Sequence, residues 1–203
     1  MINRKYSQRN AIKILSRDPV MKKLIGIYGE LTLTESGDYF TDLARTIIGQ
    51  QLSGAAAGTI WKRVVALAGE DLRPDKIISI PDDELRLAGV SSNKTKYIKN
   101  LAQAIIDKSL NIENIQTYDD EEIIRQLTAI KGVGRWTAEM FLIFSLAAKD
   151  VFSSGDGGLN SAVNKLYGNG AALDKDEILK ITERWKPYRS IASLYLWRSL
   201  DNK

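Results

Sequence analysis

Two stretches of this chain hold residues whose types and spacing could do chemistry. Residues 127–138, LTAIKGVGRWTA, place Gly132 and Gly134 on either side of Val133, with apolar runs of helical period before and after. Asp156 follows Ala138 by 18 residues, in the Gly- and Ser-rich segment VFSSGDGGLNSAV. Glycines admit the left-handed backbone that a tight turn needs. A helix expected from Trp136 to Ala147 starts just behind that turn, and its first N–H groups, with those of the turn, make a concave donor set suited to phosphate. Helix, GVG turn and second helix thus read as a backbone clamp on DNA. They read equally as an ordinary helix–turn–helix connection with a glycine cap.

The missing residue types narrow the chemistry further. With no Cys there is no disulfide, no thiolate zinc site, no cysteine-held iron–sulfur cluster and no thiol nucleophile. With no His, the commonest general base and metal ligand are gone, so proton chemistry near pH 7 falls to carboxylates, Lys or Tyr. Lys and Arg exceed Asp and Glu by 29 to 25, a net charge of +4 that allows a nucleic-acid partner without demanding one. No apolar run reaches about 18 residues and no signal-peptide pattern is present, so the expectation is a soluble, intracellular protein with no membrane contact.

The elements that must position these residues are helical nearly everywhere, with no sustained strand-like alternation. Ser7 is placed to cap a helix carrying Ala11, Ile12 and Leu15; Asp18-Pro19 opens a second, with Val20, Leu24 and Ile27 inward and Gly29 at its end. Residues 30–38 read as a linker, or as a short strand through Leu31 and Leu33. Asp42 to Gln51 is expected to be helical, interrupted by GQQLSG (49–54). Ser53 then caps a helix aligning Ala56, Ile60, Val64 and Leu67, ended by Gly69. Short helices follow Pro74 and Pro81. Residues 91–106 turn Ile98, Leu101, Ala102 and Ile105 inward and Lys94, Lys96 and Lys99 to solvent. Thr117 and Asp120 pair as a cap before EIIRQLTAI. Residues 149–158 form a loop, and Leu159–Tyr167, Lys175–Trp185 and a helix opened by Pro187 complete an all-α chain of ten to twelve short helices.

These residues resemble a known family. LTAIKGVGRWTAEM followed by a glycine-rich loop with Asp156 is similar to the helix-hairpin-helix DNA glycosylase superfamily. IIGQQLSGAAAGTIW (47–61), GVGRWTAEMF (132–141) and ERWKPYRSIASLYLW (183–197) resemble its alkylation-repair branch, DNA-3-methyladenine glycosylase II. The resemblance spans about residues 10–200. It implies a two-lobed helical fold with the active cleft between the lobes: residues 39–148 as the central lobe ending in the hairpin, and residues 1–38 with 149–203 as the other. The chain resembles the compact members, without the N-terminal β-rich domain that some bacterial members carry.

The resemblance also implies roles. A base inside duplex DNA must be extruded before its bond can be cut. Ile130, Lys131, Gly132, Val133, Gly134 and Arg135 would hold the backbone, with hairpin carbonyls able to keep a monovalent cation that bridges to phosphate. Lys131 and Arg135 would add salt-dependent affinity or be solvated charges. The turn with Gln51, Leu52 and Ser53 would fill the vacated stack; Gln51 and Leu52 both remain candidates, and Leu52 could instead be one more core leucine. Asp156 would stabilise the oxocarbenium-like transition state and orient water, or cap the Leu159 helix, roles that are compatible. Trp136 stands where lyase-capable members have a lysine, so the chemistry implied is monofunctional hydrolysis leaving an abasic site. Trp136, Met140 and Trp197 would line the base pocket, Trp197 otherwise serving as a core aromatic. Met140 and Gly157 replace aromatics of some relatives, and Gly155 a second acid. The implied partner is double-stranded DNA with damaged bases, bound by a monomer in the cytoplasm, nucleoid or nucleus, with no cofactor beyond that hairpin cation and no iron–sulfur cluster. Other readings are a glycosylase for a deaminated or oxidised base, and a non-catalytic helix-hairpin-helix DNA-binding module.

Overall fold

The computed structural model of the chain describes residues 6–201, and among them every regular element is helical. In chain order these are α1 (Gln8–Leu15), α2 (Pro19–Tyr28), α3 (Tyr39–Gly49), α4 (Gly54–Leu67), α5 (Pro74–Ser79), α6 (Asp82–Leu87) and α7 (Ser92–Ile106). A 3-10 helix (Ile112–Thr117) leads to α8 (Asp120–Thr128) and α9 (Arg135–Met140), which widens into a π-helical turn (Phe141–Ser145). The chain closes with α10 (Gly157–Tyr167), α11 (Lys175–Glu183) and α12 (Arg189–Leu200).

The chain divides into two units. One is Ser36–Phe141; the other joins the N-terminal segment through Glu35 to the segment from Leu142 onward. In the first unit α3 is central. Its Leu43, Ala44, Ile47 and Ile48 are buried, and it packs against α4, α7 and α9. On α7 the buried Ile98, Leu101 and Ala102 form the facing stripe, as their spacing predicts. Ile123 and Leu127 of α8 and Ala138 of α9 add to the unit's buried apolar set. In the second unit the core gathers Ala11, Leu15, Met21, Leu24, Leu159, Val163, Trp185, Ile191 and Tyr195. Trp185 and Tyr195 are its largest enclosed side chains. Trp185 donates through Nε1 to Asp18 Oδ2 at 3.3 Å, and Tyr167 donates to Asp18 Oδ1 at 3.0 Å. Asp18 also caps α2 by accepting the N–H groups of Val20 and Met21, so one buried carboxylate serves four donors.

Several helices differ from the sequence pattern in detail. α2 buries Met21 where Ile27 was expected, and Ile27 is 56% exposed. α3 begins at Tyr39 because Asp38 caps it through Thr41 N–H. On α4 the inward residues are Val64 and the half-buried Ala57, Ile60 and Trp61; Ala56 and Leu67 lie outside. Asp119 caps α8, while Thr117 belongs to the preceding 3-10 turn. Leu31 and Leu33 form no strand and pack, partly buried, on the second unit's core. The helix expected over residues 136–147 keeps α geometry only to Met140.

Candidate functional site

α3 stops at Gly49, and the chain turns through residues 50–53 before Ser53 caps α4 by accepting Ala56 N–H. Gln51 sits at φ +57, a left-handed conformation uncommon for a residue with a side chain. Gln51, Leu52 and Ser53 are exposed, Leu52 by 38%, so Leu52 is no core leucine. Lys94 Nζ donates to the carbonyl oxygens of Ile48 at 2.8 Å and Gln50 at 2.6 Å. Gln50 Nε2 donates to Thr137 Oγ1 at 2.9 Å. The ammonium thus meets the electronegative end of α3, where cations are favoured, and partial burial pushes its pKa down from the ordinary lysine value. Lys94 is therefore not one of three solvated lysines: Lys96 is exposed, and Lys99 pairs with Asp82. The GQQLS pattern alone gave no sign of this lysine, which is 44 residues further along the chain than Gln50.

The hairpin is supported from the same helix. Val133 N–H donates to Ile130 O at 3.0 Å, closing the turn, and both side chains are buried. Gly132 has φ +106, and a Cβ there would collide with the ring of Tyr97 on α7. Asn100, one turn further along, donates through Nδ2 to Lys131 O at 3.0 Å. Gly134 has no such demand on it. Its φ of −88 suits any residue, nothing lies within 4 Å of where a Cβ would stand, and as N-cap of α9 it brings no side-chain cap. The start of α9 is accordingly open to a close approach by an external acceptor. Lys131 is exposed. Arg135 is engaged instead with acids: Nε meets Glu139 at 2.9 Å and Nη2 meets Glu121 at 3.0 Å. Those carboxylates, Glu121 first, raise the guanidinium's pKa. Trp136 is half-buried on the first turn of α9, and Met140, four residues on, is buried.

Asp156 is the N-cap of α10. Its Oδ1 accepts Leu159 N–H at 2.8 Å and the indole Nε1–H of Trp197 at 3.1 Å, and the residue is 9% exposed. The loop behind it is fixed as well, because Asp156 N–H donates to Ser153 O and Asn160 Nδ2 donates to Ser154 O. Two donors to one oxygen fix the direction of this buried side chain. Gly158 eases the fit around this oxygen. A Cβ there would stand 3.1 Å from Asp156 Oδ1 and 3.4 Å from Trp197 Cδ1. Sequence reasoning passed over Gly158; the only signal was the doubled glycine after Asp156. Trp197 also stacks at 5.4 Å on Phe144, which is 48% exposed, and both rings line a cavity of about 580 Å³ with Ile27, Tyr28 and Leu31. A carboxylate with its direction fixed in this way can face a developing positive charge or align a water molecule.

Residues 44–187 match the model of the HhH-GPD superfamily base excision DNA repair proteins. The chain is 33% identical over 180 residues to DNA-3-methyladenine glycosylase 1 of Schizosaccharomyces pombe, covering 87% of this chain and 79% of that protein. A crystal structure of a DNA-3-methyladenine glycosidase from Bacillus halodurans superposes with a TM-score of 0.82 at 36% identity, over 99% of this chain and 92% of that one. The structure of the Schizosaccharomyces pombe 3-methyladenine DNA glycosylase in complex with abasic DNA superposes with a TM-score of 0.87 at 31% identity, over 95% and 97% of the two chains.

Proposed function

Because the chain belongs to the HhH-GPD superfamily of base excision DNA repair proteins, and within it to the DNA-3-methyladenine glycosylase branch, we propose that it is a monofunctional glycosylase for alkylated purines. It binds damaged duplex DNA, extrudes a 3-methyladenine- or 7-methylguanine-type base, hydrolyses the N-glycosidic bond and leaves an abasic site. The observation that carries this reading is Asp156, a buried carboxylate whose Oδ1 is held by Leu159 N–H and Trp197 Nε1–H. In a module that only bound DNA, Asp156 would be left with the capping of α10 alone.

Positive charge develops on the sugar as the C1′–N bond lengthens, and Asp156 stabilises it and orients the attacking water. An alkylated purine is already cationic, hence a good leaving group that needs no general acid, and the lack of His is no obstacle. The Trp136 indole attracts such a base by about 0.5 to 2 kcal/mol, with Met140 and Trp197 as further pocket residues. Trp136 also excludes the Schiff-base route that a lysine there would open. Residues 130–135 hold the DNA backbone, and Gln51 or Leu52 fills the vacated stack beside Ser53. A monovalent cation fits the hairpin carbonyls: those of Ile130 and Lys131 each accept one hydrogen bond and keep a second lone pair. Held there, it would supply positive charge to an incoming phosphate. Among the described residues no helix is long and apolar enough to cross a membrane. The reading places the protein at DNA, acting as a monomer.

The test is base release from methylated duplex DNA, with products identified and strands checked for nicks before alkali. Free 3-methyladenine or 7-methylguanine with intact abasic strands is expected. Nicked strands would overturn the monofunctional assignment. Retained binding without release would shift the substrate to another lesion or leave a binding module.

A further inference from the structure

We propose that Lys94 and the Gln50–Thr137 pair are positioning residues that set the backbone shape of the 50–53 turn before DNA arrives. This rests on the reading of that turn as the segment that enters the base stack.

Gln51 has an unfavourable φ of +57 in an exposed turn, and such a turn would normally relax by rotating the peptide between Gln50 and Gln51. That rotation would swing Gln50 O away from Lys94 Nζ, which holds it at 2.6 Å together with Ile48 O at 2.8 Å. The ammonium suits the task because it is compact and has three donors to divide between two carbonyls. From the other side, the Gln50 side chain is tied to Thr137, which is 1% exposed and adjoins Trp136. Gln50 is thus pinned through its main chain to α7 and through its side chain to α9.

The same face of α7 supports the hairpin, with Tyr97 under Gly132 and Asn100 on Lys131 O. Positions 94, 97 and 100 recur at helical spacing, so one helix sets the separation of the two DNA-contacting loops. A turn ordered in advance spares the complex the cost of ordering it on binding. The step served is extrusion of a paired base, not cleavage of the bond.

The experiment compares single-turnover release of 7-methylguanine from a fully paired duplex and from a duplex in which the lesion faces an abasic site. Lys94→Met keeps the aliphatic stem and removes the donors; Thr137→Val keeps the shape and removes the acceptor. Each is expected to slow release from the paired duplex by about tenfold or more, with a clearly smaller effect opposite the abasic site. Lys94→Arg recovers part of the loss. Hydrogen exchange at the amides of 50–53 rises in the free Lys94→Met protein. An unchanged ratio of the two rates with unchanged exchange, in a variant that melts like the parent, overturns the proposal. Should Lys94→Met fail to fold, Thr137→Val carries the same comparison. A Gln51→Ala, Leu52→Ala double variant with parental rates would sink the insertion reading alone, while exchange at 50–53 would still decide whether Lys94 presets the turn.

Discussion

Asp156 and Trp197 are joined by a hydrogen bond of 3.1 Å from the indole Nε1 to carboxylate Oδ1, the same oxygen that accepts Leu159 N–H at 2.8 Å. The cap of α10 and a tryptophan of α12 therefore fix one oxygen between them. Forty-one residues separate the partners, and each gives the other an orientation that neither helix could impose alone.

Asp156→Asn should separate capping from chemistry. Asn is as good an N-cap as Asp, so the melting temperature should hardly move and lesion-DNA affinity should persist. Base release should fall by about 100-fold or more. Rates equal to the parent's would remove Asp156 from the reaction.

Trp197→Phe retains a ring to stack on Phe144 and deletes only the N–H that reaches Asp156. Losing a hydrogen bond to a charged acceptor is worth about 1.5 kcal/mol, so base release should drop by roughly tenfold. A loss as deep as that of Asp156→Asn would mean that the indole has a second and larger task.

The two hairpin glycines should fail differently. Gly132→Ala must accept φ +106 and displace the Tyr97 ring, a cost of more than about 2 kcal/mol, visible as a lowered melting temperature. Gly134→Ala faces no such obstacle at φ −88. It should melt like the parent and show its defect in duplex affinity, as titration by fluorescence anisotropy would reveal. A strongly destabilised Gly134→Ala would contradict the geometry of the turn.

Burial, with the charge of Asp18 beside it, raises the pKa of the Tyr167 hydroxyl well above the ordinary tyrosine value. The folded pKa lies above the unfolded one, so the contribution is complete below about pH 10 and is lost as pH climbs beyond that. Tyr167→Phe should therefore destabilise the protein by about 1.5 to 3 kcal/mol near neutrality. The gap between variant and parent should narrow in denaturation curves taken above pH 10; a gap that widens would refute the assignment.

Binding to undamaged duplex should strengthen as salt is lowered, with a log–log slope on the order of −3, since few phosphates are neutralised. Lys131 is exposed and Arg135 is shared with Glu121 and Glu139. An affinity that ignored salt would count against a backbone clamp.

Much of this was legible in the sequence because it is local. Ser7, Asp18, Ser53 and Asp156 lie directly before apolar-periodic runs and all four cap the helices that follow. Gly132 sits where the turn needs positive φ. What escaped was tertiary. A lysine at the polar edge of an amphipathic pattern looks solvated, and nothing near Lys94 in the chain announces the carbonyls of Ile48 and Gln50. Ile27 and Leu67 fit the helical period as well as the residues actually buried, and only the neighbouring helices decide between them. Glu121, placed 14 residues before Arg135, likewise meets it only through the fold. The crowding that a Cβ at 158 would meet depends on where the fold places Asp156 Oδ1 and the α12 indole.

Arg135 bears on how such a protein would travel along a genome. With its guanidinium already shared between Glu121 and Glu139, Arg135 would add little to a phosphate contact, and the proposed clamp would rely mainly on peptide groups, which read no sequence. Visits to intact DNA would be brief and numerous, and a long residence time would be reserved for sites where a base leaves the helix.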